Sequence, residues 1–273
     1  MFKYMKYEIK GTYKFILGLL ALVLILFTGI YAYISKADRV FTLGSLFIGL
    51  SIMIIFGAAL VVFLYIVGSF RKELYEDSGY LTFTLPLTGN QIVGSKLIVA
   101  LLWFLILGMV IAIYNFIMVM IFIPVEMNIV KLFSMIQGVS IKEIIFVVLT
   151  PVFSGVSILI LIYFSMSLSK VTFRNKKIGG LWFILFLLLG GVLAYGDYEI
   201  CKLLPYYLDL NSFHLTTMET LNGQYHLVNN NDGFYMSVSG AFAINIASCV
   251  YNVGTIVALF LGTSYLIERK INL

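Results

Sequence analysis

Between two long apolar runs the chain carries one extended polar stretch, Arg71-Lys-Glu-Leu-Tyr-Glu-Asp-Ser-Gly-Tyr-Leu-Thr-Phe-Thr-Leu-Pro-Leu-Thr-Gly-Asn90. Arg71 and Lys72 sit beside Glu73, and Glu76 and Asp77 follow it at i+3 and i+4. In a short helix that spacing gathers the three carboxylates on one side. Leu74 and Tyr75 form an apolar knob between them, and Gly79 is a helix stop. The chemistry open to these residues is ion pairing and docking rather than bond-making. Arg71, Lys72, Glu73, Leu74, Tyr75, Glu76, Asp77, Ser78, Gly79 and Tyr80 therefore form a candidate docking element for a soluble partner. The competing reading is an ordinary solvated loop, and charge alone favours it.

No catalytic or metal-binding constellation accompanies this stretch. The chain lacks the G-x-x-x-x-G-K-[S/T] loop that cradles nucleotide phosphates. Its two histidines, His214 and His226, fall in one long polar segment outside any metal-binding pattern and read as loop residues. Cys201 and Cys249 give neither a disulfide framework nor a metal spacing, and Cys249 reads as a small packing residue within an apolar run. The expectation is a non-enzymatic chain with no cofactor and no metal. Within the apolar runs the notable polar groups are Asn115, Asn245 and Asn252. They suit a substrate path, or the hydrogen bonds that amides commonly make between membrane helices.

The elements that must position these residues are set by composition. Of 273 residues, 61% are hydrophobic and 11% charged, with a mean hydropathy of +1.02. Soluble domains carry about 25% charged residues, so this is an integral membrane protein. The net charge of +5 is dispersed at the ends of apolar runs, where it serves topology and contact with membrane lipid rather than nucleic acid.

The chain reads as one all-α domain, residues 1–273, with six transmembrane helices. Residues 1–14 place Lys3, Lys6, Lys10 and Lys14 beside a stripe of Phe2, Met5, Ile9 and Tyr13. That pattern predicts an interfacial helix in the headgroup plane. The spans follow at about Phe15–Ile34, Phe41–Phe70, Ile92–Ile123, Glu143–Leu168, Ile178–Gly196 and Gly240–Ile267. The apolar run before Ser35-Lys36-Ala37 is too long for a cleaved signal peptide and is kept as a span. Six spans put both termini on one side. If that side is the cytoplasm, 13 basic residues lie inside and 5 outside, which the positive-inside rule favours. The polar loop 71–90 is then cytoplasmic and segment 197–239 extracellular. In that segment Ile200, Leu203, Leu204 and Leu208 could line a short helix broken by Pro205. Pattern alone leaves re-entrant helices and a plain exposed loop equally open.

The stretch Phe70–Lys96 resembles the cytoplasmic loop of bacterial ABC exporter permeases of the type-2 group, in its Firmicutes-like form. There an R-x-L-[F/Y]-x-[D/E]-x-G-Y-L-T-x-T-L-P pattern follows the second span and an S-K opens the third. Gly79-Tyr-Leu-Thr-Phe-Thr-Leu-Pro86 and Ser95-Lys96 fit it. The resemblance covers about a tenth of the chain and agrees with the six-span architecture. It implies a permease subunit of the bacterial plasma membrane that pairs with a second permease chain, identical or different. It further implies cytosolic ABC ATPase subunits that bind ATP and magnesium, and a coupling helix over 71–80. In it Glu73, Glu76 and Asp77 would face the ATPase, with Leu74 and Tyr75 as anchors. The resemblance also tips 197–239 towards a re-entrant helical segment. The resemblance implies a cargo among peptides such as bacteriocins, drugs, lipids and polysaccharides; the uncharged spans and small outer region favour a hydrophobic or amphipathic one, such as an antimicrobial peptide, a drug or a lipid. The alternatives are an ATPase-independent channel or secondary transporter, or a membrane sensor or scaffold.

Overall fold

In the computed structural model, residues 1–35, 40–76, 87–122, 141–172, 180–209, 214–217, 235–238 and 241–270 are described. Six long helices dominate: α1 (Phe2–Ser35), α2 (Val40–Tyr75), α3 (Gly89–Phe122), α4 (Ile141–Thr172), α5 (Leu181–Leu203) and α6 (Ile246–Arg269). Each contains a stretch long and apolar enough to cross a membrane, as the sequence predicts. Several exceed what a bilayer needs. At 1.5 Å per residue the 34 residues of α1 reach about 51 Å, against about 30 Å of hydrocarbon.

The helices and strands fall into two units. One contains α1, α2 and α3 from Gln91 onward; the other contains Thr88–Asn90, α4, α5, α6 and a small sheet.

In the first unit a single stripe of α1 turns inward: Tyr4, Thr12, Ile16, Leu20, Val23, Phe27 and Tyr31, at steps of three, four or eight residues. Such steps keep one helical face towards its neighbours. On α2 the buried residues Ala58, Val62, Ile66, Phe70 and Leu74 recur every fourth position. On α3 they include Val99, Trp103, Leu107 and Ile111. The Phe15 and Tyr65 rings stack with centroids 4.1 Å apart, which fixes α1 against α2.

This packing corrects the expectation of a separate interfacial helix over residues 1–14. Residues 2–14 continue without a break into the rest of α1. Met5, Ile9 and Tyr13 of the predicted lipid-facing stripe pack against Ile16, Val99 and Trp103 of the protein itself, whereas Phe2 is exposed.

In the second unit α6 packs on α4 and α5, and α4 on α5. Between α5 and α6 the chain forms four short antiparallel strands, β1 (Tyr206–Asp209), β2 (Leu215–Thr217), β3 (Tyr235–Val238) and β4 (Ala241–Asn245), in the order β2-β1-β4-β3. This departs from the predicted helical segment: among its described residues from Tyr206 to Asn245 there are strands and no helix. Pro205 lacks the N–H that a continuing helix needs and restricts Leu204, so α5 stops at Leu203. Aromatic and β-branched residues then suit the pleated backbone. Strand β4 runs directly into α6, whose first turn is capped by Asn245. Loop residues 77–86, which include most of the resembled motif, lie outside the described residues.

Candidate functional site

Three helices of the first unit converge on one buried cation. Lys96, on the second turn of α3, is 4% exposed, and its ammonium lies 2.6 Å from Glu8 Oε1 of α1 and 2.7 Å from Glu73 Oε1 of α2. The Tyr4 hydroxyl stands 3.0 Å from Glu8 Oε1 and 3.1 Å from Glu73 Oε2 as a donor to either carboxylate. Removing these charges from water is costly, and the arrangement offsets part of that cost by charge-assisted hydrogen bonds from Lys96 to both carboxylates. The Phe70 ring, with its centroid 6.0 Å from Lys96 Nζ, closes part of the remaining approach. About two turns further along α3, the Trp103 indole donates to Thr12 Oγ1 at 2.9 Å, tying α3 to α1 again. The beginning of α1, the end of α2 and the beginning of α3 thus form one locked platform.

The platform rearranges the predicted docking residues. Arg71–Tyr75 are the last turns of the long helix α2, not a separate short helix. Leu74 is 1% exposed and packs inside the chain. Glu73 faces Lys96. Arg71, Lys72 and Glu76 are exposed and Tyr75 is half-buried. Asp77, Ser78, Gly79 and Tyr80 lie outside the described residues.

Compared with known protein families, with curated proteins and with solved structures, the chain matches none.

The three amides divide between the units. Asn115 in the first unit is spent on packing: its Oδ1 accepts from the Tyr31 hydroxyl at 3.1 Å and its Nδ2 donates to the Ile111 carbonyl at 2.9 Å. Asn245, the N-cap of α6, and Asn252, about two turns into it, lie at the same end of that helix. Asn245 is fully buried; its Oδ1 accepts from Ser248 N at 3.0 Å and its Nδ2 donates to the Leu204 carbonyl at 3.1 Å. Asn252 Nδ2 donates to Asp197 Oδ1 at 2.9 Å, and the Ser248 hydroxyl donates to the same oxygen. Asp197 of α5 therefore sits beside the N-terminal end of α6, where the helix dipole favours a carboxylate. All three amides make interhelical or capping bonds.

Sequence reasoning named neither Glu8 nor Asp197. Glu8 is the one acid among the four lysines of residues 1–14. Asp197 falls one residue beyond the predicted end of the fifth span. Those two oddities were the only available signals.

Proposed function

We propose that this chain is the membrane subunit of an ATP-driven exporter of the ABC type-2 group, which moves a hydrophobic or amphipathic cargo. A second permease chain completes the path. Separate cytosolic ATPase subunits drive it by pulling on the end of α2, with both termini and the 71–90 loop in the cytoplasm of a bacterial cell.

The observation that carries this reading is the Lys96 platform at the end of α2, the helix that leads into the stretch whose sequence resembles the family's coupling motif. A pull on the exposed residues Arg71, Lys72 and Glu76 acts on α2 directly. It acts on α1 and α3 through two buried charge-assisted contacts at 2.6 and 2.7 Å. Docking then belongs to Arg71, Lys72, Tyr75 and Glu76. Glu73 and Leu74 act as internal supports. The excess of basic residues in the loops that this orientation assigns to the cytoplasm supports the same sidedness.

The test is isolation of the tagged chain from its native cells in mild detergent, with identification of stoichiometric partners by mass spectrometry. A soluble subunit bearing a nucleotide phosphate loop is the expected partner. Its absence with ATP and a crosslinker present would move the assignment to a channel or scaffold. Recovery of a second permease decides between a homodimer and a heterodimer.

A further inference from the structure

At the charged end of α6, within the second unit, a pocket of about 400 Å³ is lined by Asn90, Leu261, Ser264, Tyr265, Glu268 and Arg269. Its polar groups are incompletely matched. Ser264 is 3% exposed, yet its hydroxyl has no partner among the described residues. The neighbouring Thr263 hydroxyl, by contrast, turns back onto the Leu259 carbonyl at 2.7 Å. Glu268 Oε2 accepts the Gly89 N–H at 3.2 Å and meets no cation among the described residues. The Arg269 guanidinium lies 5.9 Å from the Tyr265 ring centroid and meets no carboxylate among them. Consecutive helical positions diverge, so Glu268 and Arg269 are poorly placed to neutralise one another.

An opening with one acid, one base and one orphan buried hydroxyl suits a ligand that is itself a zwitterion. The position suits a lipid. The apolar run of α6 gives way to charge at Glu268, as at the level of membrane headgroups. Val257, Leu261 and Tyr265 follow one helical face towards Arg269 and are 49%, 52% and 50% exposed, a track for an acyl chain. We propose that this pocket binds an amino-phospholipid of the phosphatidylethanolamine class. Its phosphate meets Arg269 and the Ser264 hydroxyl, its ammonium meets Glu268, and an acyl chain lies along Leu261 and Val257.

The test uses the full chain in nanodiscs of equal phosphatidylethanolamine, phosphatidylglycerol and phosphatidylcholine, released into mild detergent for native mass spectrometry of retained lipid. Wild type is expected to retain phosphatidylethanolamine over both others. Retention should fall by about tenfold in Arg269→Gln and in Glu268→Gln, and by less in Ser264→Ala, because charge-assisted bonds are the stronger ones. The wild-type headgroup preference is read independently of whether any variant folds. Preference for phosphatidylglycerol, or equal retention by wild type and folded variants, would overturn the proposal. Displacement of the lipid by equimolar phosphoethanolamine would overturn the assignment to a lipid.

Discussion

The Lys96 ammonium of α3 lies 2.7 Å from the Glu73 carboxylate of α2, and the same nitrogen lies 2.6 Å from Glu8 of α1. A residue that sequence spacing assigns to a partner's surface is therefore spent inside the chain, joining three helices. The mechanical consequence is that the end of α2 cannot move without displacing the others or breaking a buried ion pair.

Removing the cation should be worse than removing the whole cluster. Lys96→Met leaves Glu8 and Glu73 facing each other with only Tyr4 between them, and should cost about 3–5 kcal/mol. The triple variant Glu8→Gln/Glu73→Gln/Lys96→Met should recover much of that loss, because it buries no charge. Thermal unfolding in detergent measures both; equal melting temperatures for wild type and Lys96→Met would contradict the platform.

The second tie of α1 to α3 is a single hydrogen bond. Thr12→Val leaves the buried Trp103 N–H without its acceptor at 2.9 Å and should cost about 1–3 kcal/mol. Trp103→Phe in the Thr12→Val background should add less than it does alone, which a double-mutant cycle reads directly.

Gly89 has no room for a side chain. A Cβ there would run into the backbone carbonyl of Ser264, which cannot rotate away, whereas Gly108 has nothing within 4 Å. Gly89→Ala should lower stability by about 1–3 kcal/mol as overpacking does, and Gly108→Ala should leave the melting temperature unchanged or slightly raised. Comparable losses at both sites would be inconsistent with the packing described.

Asp197 holds α5 against the start of α6 through Ser248 and Asn252. Asp197→Ala leaves those donors without their common acceptor and should cost about 1–3 kcal/mol. Limited proteolysis should then cut faster near the strands that join these helices. An unchanged digestion rate would indicate that the clasp contributes nothing to that end of the unit.

The spans were legible because about twenty consecutive apolar residues leave few alternatives. The helical spacing of Met5, Ile9 and Tyr13 was legible too, but an apolar stripe does not reveal whether it will meet lipid or protein, and here it meets Trp103. The sheet was not legible because its central pairing is remote, Tyr207 aligning with Asn245 far along the chain, and because the strands have only three to five residues. The Lys96 cluster was hidden for the same reason, since Glu8 and Lys96 stand 88 positions apart. Of the predicted docking residues, Arg71, Lys72 and Glu76 keep an exposed surface, whereas Glu73 and Leu74 became supports once three helices closed around them.

The most direct test of the exporter account is a photo-crosslinking residue placed at Glu76 in cells, with Tyr195, 66% exposed on α5, as the control position. The account predicts an adduct from position 76, absent from position 195, whose soluble component contains a nucleotide phosphate loop and whose yield falls on charge reversal at Arg71 and Lys72. An adduct with some other protein, or no protein adduct from position 76 in cells that make the complete operating system, would contradict it.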